Sequence, residues 1–341
     1  MLWVIGVLLL AALGVRLAAP RYFYRLIFTR KAPLPGTPAF MREEARRKSG
    51  ETRAWIDEQA AERAVIVSHD GLTLEGIFVP APALPGLSGT RRRGGAVSAD
   101  TVILAHGYTG DARQLGGIAQ GFYEQYGWNV LLPHARGHGA SQGAYIGFGW
   151  HDRLDYLRWI DWVLRRTAPQ GGAGAGRGEA APQPVRIVLF GISMGAATVL
   201  MTGGEEALPP EVQAIIGDCG YTSAEDELRY QAARRFHIKK ADWLIKAVSR
   251  QTQKYAGFAL EEVSALNQVK KIRVPTLFIH GDADTFVPYS MVHALYGACS
   301  APRELYTVKG AGHGLAYEAD RAEYERRITV FLQNYMPGGV P

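Results

Sequence analysis

From residue 61 onward the chain alternates between short runs rich in aliphatic and β-branched residues and longer segments with helical spacing. That rhythm predicts a mostly parallel sheet covered by helices. Residues 64–67 and 72–79, joined through His69-Asp70-Gly71, read as an opening hairpin. Residues 101–105, 130–132, 186–190, 212–216, 276–279 and 305–308 read as further strands. The clearest helix is 150–166, where Leu154, Leu157, Ile160, Val163 and Leu164 recur at helical spacing, with Asp152, Arg153, Asp161 and Arg165 supplying a polar side. Residues 221–271, between the sixth and seventh strands, carry little β pattern and much charge, which predicts a small helical cap. The stretches 81–99, containing Arg91-Arg92-Arg93, and 168–184, rich in Gly, Ala and Pro, break the rhythm and read as surface loops.

Ahead of this pattern, Leu2 to Val15 is an unbroken run of apolar residues and glycine, and Leu17-Ala18-Ala19 extends it past Arg16. The length is near the lower limit for a bilayer span, where about 17–25 residues are typical. No base precedes the run, whereas Arg16, Arg21, Arg25, Arg30 and Lys31 follow it with no acid before Glu43. This asymmetry argues against a cleaved export signal and, by the positive-inside rule, directs the downstream domain to the cytoplasm. Tyr22, Phe23 and Tyr24 would then lie at headgroup level. The organisation expected is a membrane anchor over 1–30, a basic helical linker over 31–60 and one large domain over 61–341 containing the cap. The alternative for the first segment is a hydrophobic helix that packs on its own domain.

Composition narrows the partners. The 341 residues, 47% hydrophobic, are ample for a sizeable core. The net charge of +6 hints at an acidic partner until it is divided along the chain: residues 1–60 hold ten bases and five acids, which leaves +1 for the remainder. A near-neutral body argues against a nucleic-acid role. The cap is locally basic, so recognition of an acidic substrate or of lipid headgroups stands beside the simpler reading of a solvated face. Cys219 and Cys299 permit at most one disulfide, and no zinc-type Cys/His spacing occurs.

The chemistry begins at Gly191-Ile192-Ser193-Met194-Gly195, which follows an apolar strand and precedes a segment able to open a helix. That is the context a nucleophile elbow requires. Glycines two residues either side leave room for a sharp, strained turn that lifts the serine hydroxyl clear of the sheet. A serine hydroxyl is a poor nucleophile near neutral pH, so a base and an orienting acid must follow. His313, in Gly310-Ala311-Gly312-His313-Gly314 after the last strand, is the candidate base. Asp284, in His280-Gly281-Asp282-Ala283-Asp284, has the reach for the acid; Asp282 suits turn stabilisation, and Asp218 at an earlier strand end is a minor alternative. The backbone N–H groups of Met194 and of Tyr108, in His106-Gly107-Tyr108-Thr109-Gly110, are assigned to the oxyanion.

These motifs, with Ala135-Arg136-Gly137-His138-Gly139, carry a resemblance. From about Val65 to its end the chain resembles bacterial α/β-hydrolases of the serine esterase and serine aminopeptidase-like group, some of them membrane-anchored. The resemblance implies an α/β-hydrolase fold with an eight-stranded sheet, flanking helices and a small helical cap. It also favours Asp284, the fourth residue after the histidine of its motif. His134 departs from the aspartate common among relatives, and His134 with His138 is an improbable metal site beside Gly137 and Gly139. The function expected is hydrolysis of a small-molecule carboxylic ester through an acyl-enzyme, with no cofactor or metal. The alternatives are an aminopeptidase or amidase using Glu225, Asp226 or Glu227 to hold an ammonium, a thioesterase or lysophospholipase using the cap's bases, and a non-catalytic membrane-tethered binding protein.

Overall fold

Eight strands form one sheet: β1 Glu62–Val67, β2 Thr73–Val79, β3 Thr101–Ala105, β4 Asn129–Pro133, β5 Ile187–Ile192, β6 Val212–Asp218, β7 Thr276–Gly281 and β8 Arg303–Val308. The computed structural model that shows this describes residues 2–29, 54–81, 100–168, 185–338 and 340. The strand order is β1-β2-β4-β3-β5-β6-β7-β8. Pairing is antiparallel for β1–β2 and β2–β4 and parallel elsewhere. All eight expected strands are present. Several run one or two residues past their apolar stretch, because ladder hydrogen bonds do not require an apolar side chain. Those extra residues include Gly191, Asp218 and His280, so the strand ends, rather than the apolar runs, carry the chemistry.

The central strands are buried on both faces, and side-chain alternation divides the core into two layers. Ile103, Ile187, Leu189 and Ile215 face one cluster; Val102, Val188, Phe190 and Ile216 face the other. The helices, in chain order, are α1 Leu2–Phe28, α2 Gly116–Tyr126, α3 Asp152–Thr167, α4 Met194–Gly203, α5 Ala224–Arg235, α6 Asp242–Ala256, α7 Ala265–Val269, α8 Ser290–Ala298, α9 Ala316–Ala319 and α10 Arg321–Tyr335. Residues of α3, α4 and α8 fill the first layer, and those of α2 and α10 the second. Helix α3 starts two residues later and ends one residue later than the predicted 150–166, with Asp152 and Asp155 in its first turn and Arg165 and Arg166 in its last, which suits the helix dipole. Between β6 and β7 the chain forms α5, α6 and α7, the helical character expected of 221–271.

The N-terminal segment departs from expectation. Among the described residues, no helix is long and apolar enough to cross a membrane, so the predicted spanning anchor over 1–30 gains no support. Arg16, Arg21 and Arg25 lie within α1, and its last turns pack on the protein. Tyr24 is buried against Phe28 and Tyr255, and Phe23 meets Phe236 edge-on, whereas Tyr22 is exposed. Beyond α1, residues 54–58 form a helix whose Trp55 and Ile56 join the second core layer. Residue 30, residues 31–53 of the expected linker, the Arg91-Arg92-Arg93 loop and 169–184 lie outside the described residues. Cys219 and Cys299 are buried and free, so the one disulfide the sequence allows is absent.

Candidate active site

The strand-to-helix turn between β5 and α4 holds Ser193 at φ 58°, ψ −117°, a strained conformation for a residue with a side chain. The flanking glycines have a steric reason: a Cβ at Gly191 would run into the Gly195 carbonyl, and one at Gly195 into the Ala105 carbonyl at the end of β3. The Ser193 N–H donates to the Asp218 carbonyl at 2.8 Å, which ties the turn to β6.

His313 arrives from the loop after β8, with Nε2 2.8 Å from Ser193 Oγ. Its Nδ1 lies 2.7 Å from Asp284 Oδ2. The Phe286 ring stacks on the imidazole at 4.8 Å between centroids. Asp284, after β7, is buried and fully engaged. Oδ1 accepts the N–H groups of Phe286 at 2.8 Å and Val287 at 3.0 Å, while Oδ2 receives His313 and also His280 Nε2 at 3.1 Å. Burial opposes ionisation of this carboxyl, yet the bonds from His280 and His313 outweigh it and hold it at about 2. The structure thus brings Ser193, His313 and Asp284 into one hydrogen-bonded chain. A neutral imidazole with Nδ1–H on a carboxylate presents Nε2 as acceptor for the serine proton, the arrangement general-base chemistry requires.

The other two candidate acids fall elsewhere. Asp282 Oδ1 accepts the Gly310 N–H at 2.6 Å and so secures the loop that carries His313. Asp218 accepts the Tyr324 hydroxyl on Oδ2 at 2.9 Å and leaves Oδ1 buried without a partner. No hydrogen bond joins Asp218 to His313.

Met194 opens α4, where the first amides of a helix have no intrahelical acceptor. In the 106–110 loop, the Thr109 N–H donates to His138 Nε2 at 3.2 Å and the Gly110 N–H to the Gly107 carbonyl at 3.0 Å, so those two amides are taken. His106 accepts the Ala135 N–H at Nε2 and sets Nδ1 against the Gly107 carbonyl. Burial, with His138 adding to it, pushes His106 down to about 3, so this ring is a neutral brace between the 106–110 and 134–139 loops. Tyr108 also reaches sideways: its phenol donates to the Ile27 carbonyl in the last turn of α1 at 2.7 Å.

Two features escaped sequence reasoning. His280 is completely buried and donates to both Asp284 and the Val287 carbonyl at 3.1 Å, which makes it a positioning residue for the acid. Its place four residues before Asp284 was the available signal. Arg136, also buried, forms paired bonds to Asp155 and Asp70 and anchors the 134–139 loop to α3 and the opening hairpin. Two groups of side chains lie close enough to invite a metal ion: Cys219, Asp284 and His313, and His69, Asp70 and Asp155. The carboxylates of both groups are already engaged, by the two histidines and by Arg136 respectively.

Comparison with known proteins agrees with this architecture. Residues 177–339 match the prolyl oligopeptidase family. The chain is 27% identical over 241 residues to YqkD of Bacillus subtilis (strain 168), covering 69% of this chain and 72% of that one. Among solved structures it is similar to the Pyrococcus furiosus esterase Pf2001, with TM-score 0.60, 22% identity and coverage of 83% of this chain and 94% of that one. It is also similar to the Pyrococcus horikoshii acylaminoacyl peptidase, with TM-score 0.53, 16% identity and coverage of 83% and 43%. The chain has the α/β-hydrolase fold.

Proposed function

We propose that the protein is a serine hydrolase that cleaves carboxylic esters through an acyl-enzyme. The observation that carries this reading is the continuous chain from Ser193 Oγ through both nitrogens of His313 to Asp284. In the proposed first step, His313 Nε2 takes the Ser193 proton while Oγ bonds to the acyl carbon. The Met194 and Tyr108 N–H groups hold the oxyanion, and His313 returns the proton to the departing alcohol. Water then attacks the acyl carbon, activated by the same imidazole, and Ser193 is regenerated with release of the acid. The match to a peptidase family and the esterase among the structural neighbours support hydrolysis without selecting the leaving group.

One observation favours an amide-cleaving second reading. Of the three acids that open α5, Glu225 pairs with Arg229 and Asp226 accepts the Thr222 hydroxyl, but Glu227 is buried with Oε2 unpartnered. Burial raises its carboxyl to about 8, and nearby Asp284 adds to the rise, so a substrate ammonium would find an acid ready to ionise beside it. Chromogenic acyl esters assayed beside aminoacyl amides separate the two readings, with ester turnover expected to dominate. A fluorophosphonate probe is expected to label the wild type and not Ser193→Ala, with hydrolysis falling about 10⁵- to 10⁶-fold in that variant. Labelling that survives the substitution would overturn the mechanism.

A further inference from the structure

Among the described residues, six of the eight large apolar side chains that stand exposed belong to α1 or the β6–β7 insertion: Trp3, Leu17, Tyr22, Phe236, Trp243 and Tyr255. The two elements are joined. Tyr24 meets Tyr255 at 5.4 Å, Phe23 meets Phe236 at 5.1 Å, and the Arg16 guanidinium lies 5.5 Å from the Trp243 ring centre. Helix α6 turns Leu244, Ile245, Val248 and Thr252 inward and leaves Trp243, Lys246, Arg250, Lys254 and Tyr255 in solvent. Bases therefore recur every four residues along its outer stripe, flanked by aromatic rings.

The charge of this surface is predominantly basic, with an exposed acid, Glu261, that accepts the Ser249 hydroxyl of α6 and lies near Lys246. Helix α1 contains Arg16, Arg21 and Arg25 and no acid. The single acid of α6, Asp242, is ion-paired with Arg229. The acids of α5 are engaged or buried, as described above. Exposed Trp and Tyr among Lys and Arg suit the boundary of a bilayer, where rings sit at headgroup level and bases meet lipid phosphates. The surface also adjoins the candidate site. Phe28, in the last turn of α1, packs on Phe148 at 4.9 Å, Phe148 packs on Tyr108 at 5.3 Å, and the Tyr108 phenol holds the Ile27 carbonyl.

We propose that the outer face of α1 and α6 docks on an anionic phospholipid bilayer, lying along it rather than crossing it. Binding of the full chain to phosphatidylcholine vesicles with and without phosphatidylserine, read by co-sedimentation, tests this without reference to catalysis. The wild type is expected to bind the phosphatidylserine vesicles far better, and added salt to weaken that binding. Charge reversal by Lys246→Glu, Arg250→Glu and Lys254→Glu together should weaken it by at least about a hundredfold, since loss of each base near such a surface alone costs about fivefold and the new acids add repulsion. Trp243→Ala with Tyr255→Ala should weaken binding to both vesicle types, and an unchanged thermal midpoint shows that either variant is folded. Binding that charge reversal leaves intact would assign it to the apolar Leu2–Val15 run and overturn the proposal. So would retention on heparin without vesicle binding.

Discussion

Two buried aspartates stand at the ends of neighbouring strands and meet opposite fates. Asp284 follows β7 and Asp218 closes β6; each is shielded from water and close to His313. Asp284 sits in a loop whose Phe286 and Val287 amides turn back onto Oδ1, with a histidine on either side of Oδ2. Asp218 belongs to the strand itself, so its neighbouring amides are committed to the sheet and its carboxylate receives only the Tyr324 hydroxyl. Burial raises Asp218 to about 6, and that single bond does not offset it, whereas the donors around Asp284 bring it down to about 2. A carboxylate that must stabilise an imidazolium has to be ionised at working pH, so hydrogen-bond supply separates these two better than proximity does.

The sharpest way to break this comparison is to neutralise each aspartate in turn. Asp284→Asn is expected to lower kcat for an acyl ester by about 10³- to 10⁴-fold, because the amide neither stabilises the imidazolium nor holds the required tautomer. Asp218→Asn should leave kcat within about threefold, since Asp218 donates and accepts nothing at His313. A reversal of the two results in steady-state kinetics would move the acid to β6. A smaller effect tests what sets Asp284 apart. His280→Gln shortens the donor that braces Oδ2 while leaving Ser193 and His313 untouched, and should cost about tenfold in kcat with KM unchanged. A rise in KM with kcat intact would instead mark His280 as part of the substrate pocket.

The same contrast explains what could be read from sequence. The strands were legible because two-sided burial writes itself as aliphatic runs, as in Thr101–Ala105, which coincides with its expected span. Ser193, His313 and Asp284 were legible because each lies in a short motif tied to a strand end. What separates Asp284 from Asp218 is the supply of hydrogen bonds from two histidines and from the Phe286 and Val287 amides, and the backbone part of that supply has no residue-type signature. Three consecutive acids, Glu225, Asp226 and Glu227, look alike in sequence, yet a helix turns each by about 100°, and only Glu227 ends up buried. Helix α1 is a different case: no helix among the described residues is long and apolar enough to cross a membrane, and its Tyr24 and Phe28, beyond the apolar run, are covered by protein. The bond from Tyr108 to Ile27 spans 81 positions, and no local pattern encodes it.

The smallest effect expected lies in stability, and the two aspartates should move it in opposite directions with pH. An unfolded aspartate titrates near 3.8, so Asp218, native value about 6, keeps its proton between those values while the unfolded chain loses it. Its contribution is complete below about 4, declines as pH rises to 6 and is flat above. The loss is up to about 3 kcal/mol for a shift of this size. Asp284 behaves oppositely: its contribution is present above 3.8 and is lost as pH falls through about 2. In Asp218→Asn the Tyr324 hydroxyl keeps an oxygen acceptor, but the titration is gone. Urea unfolding of wild type and variant at pH 4 and pH 7 should therefore show the wild type losing more stability across that interval than the variant does. Parallel losses would mean that Asp218 is ionised in the folded protein and accommodated as well as Asp284, and the distinction between the two strand ends would fail.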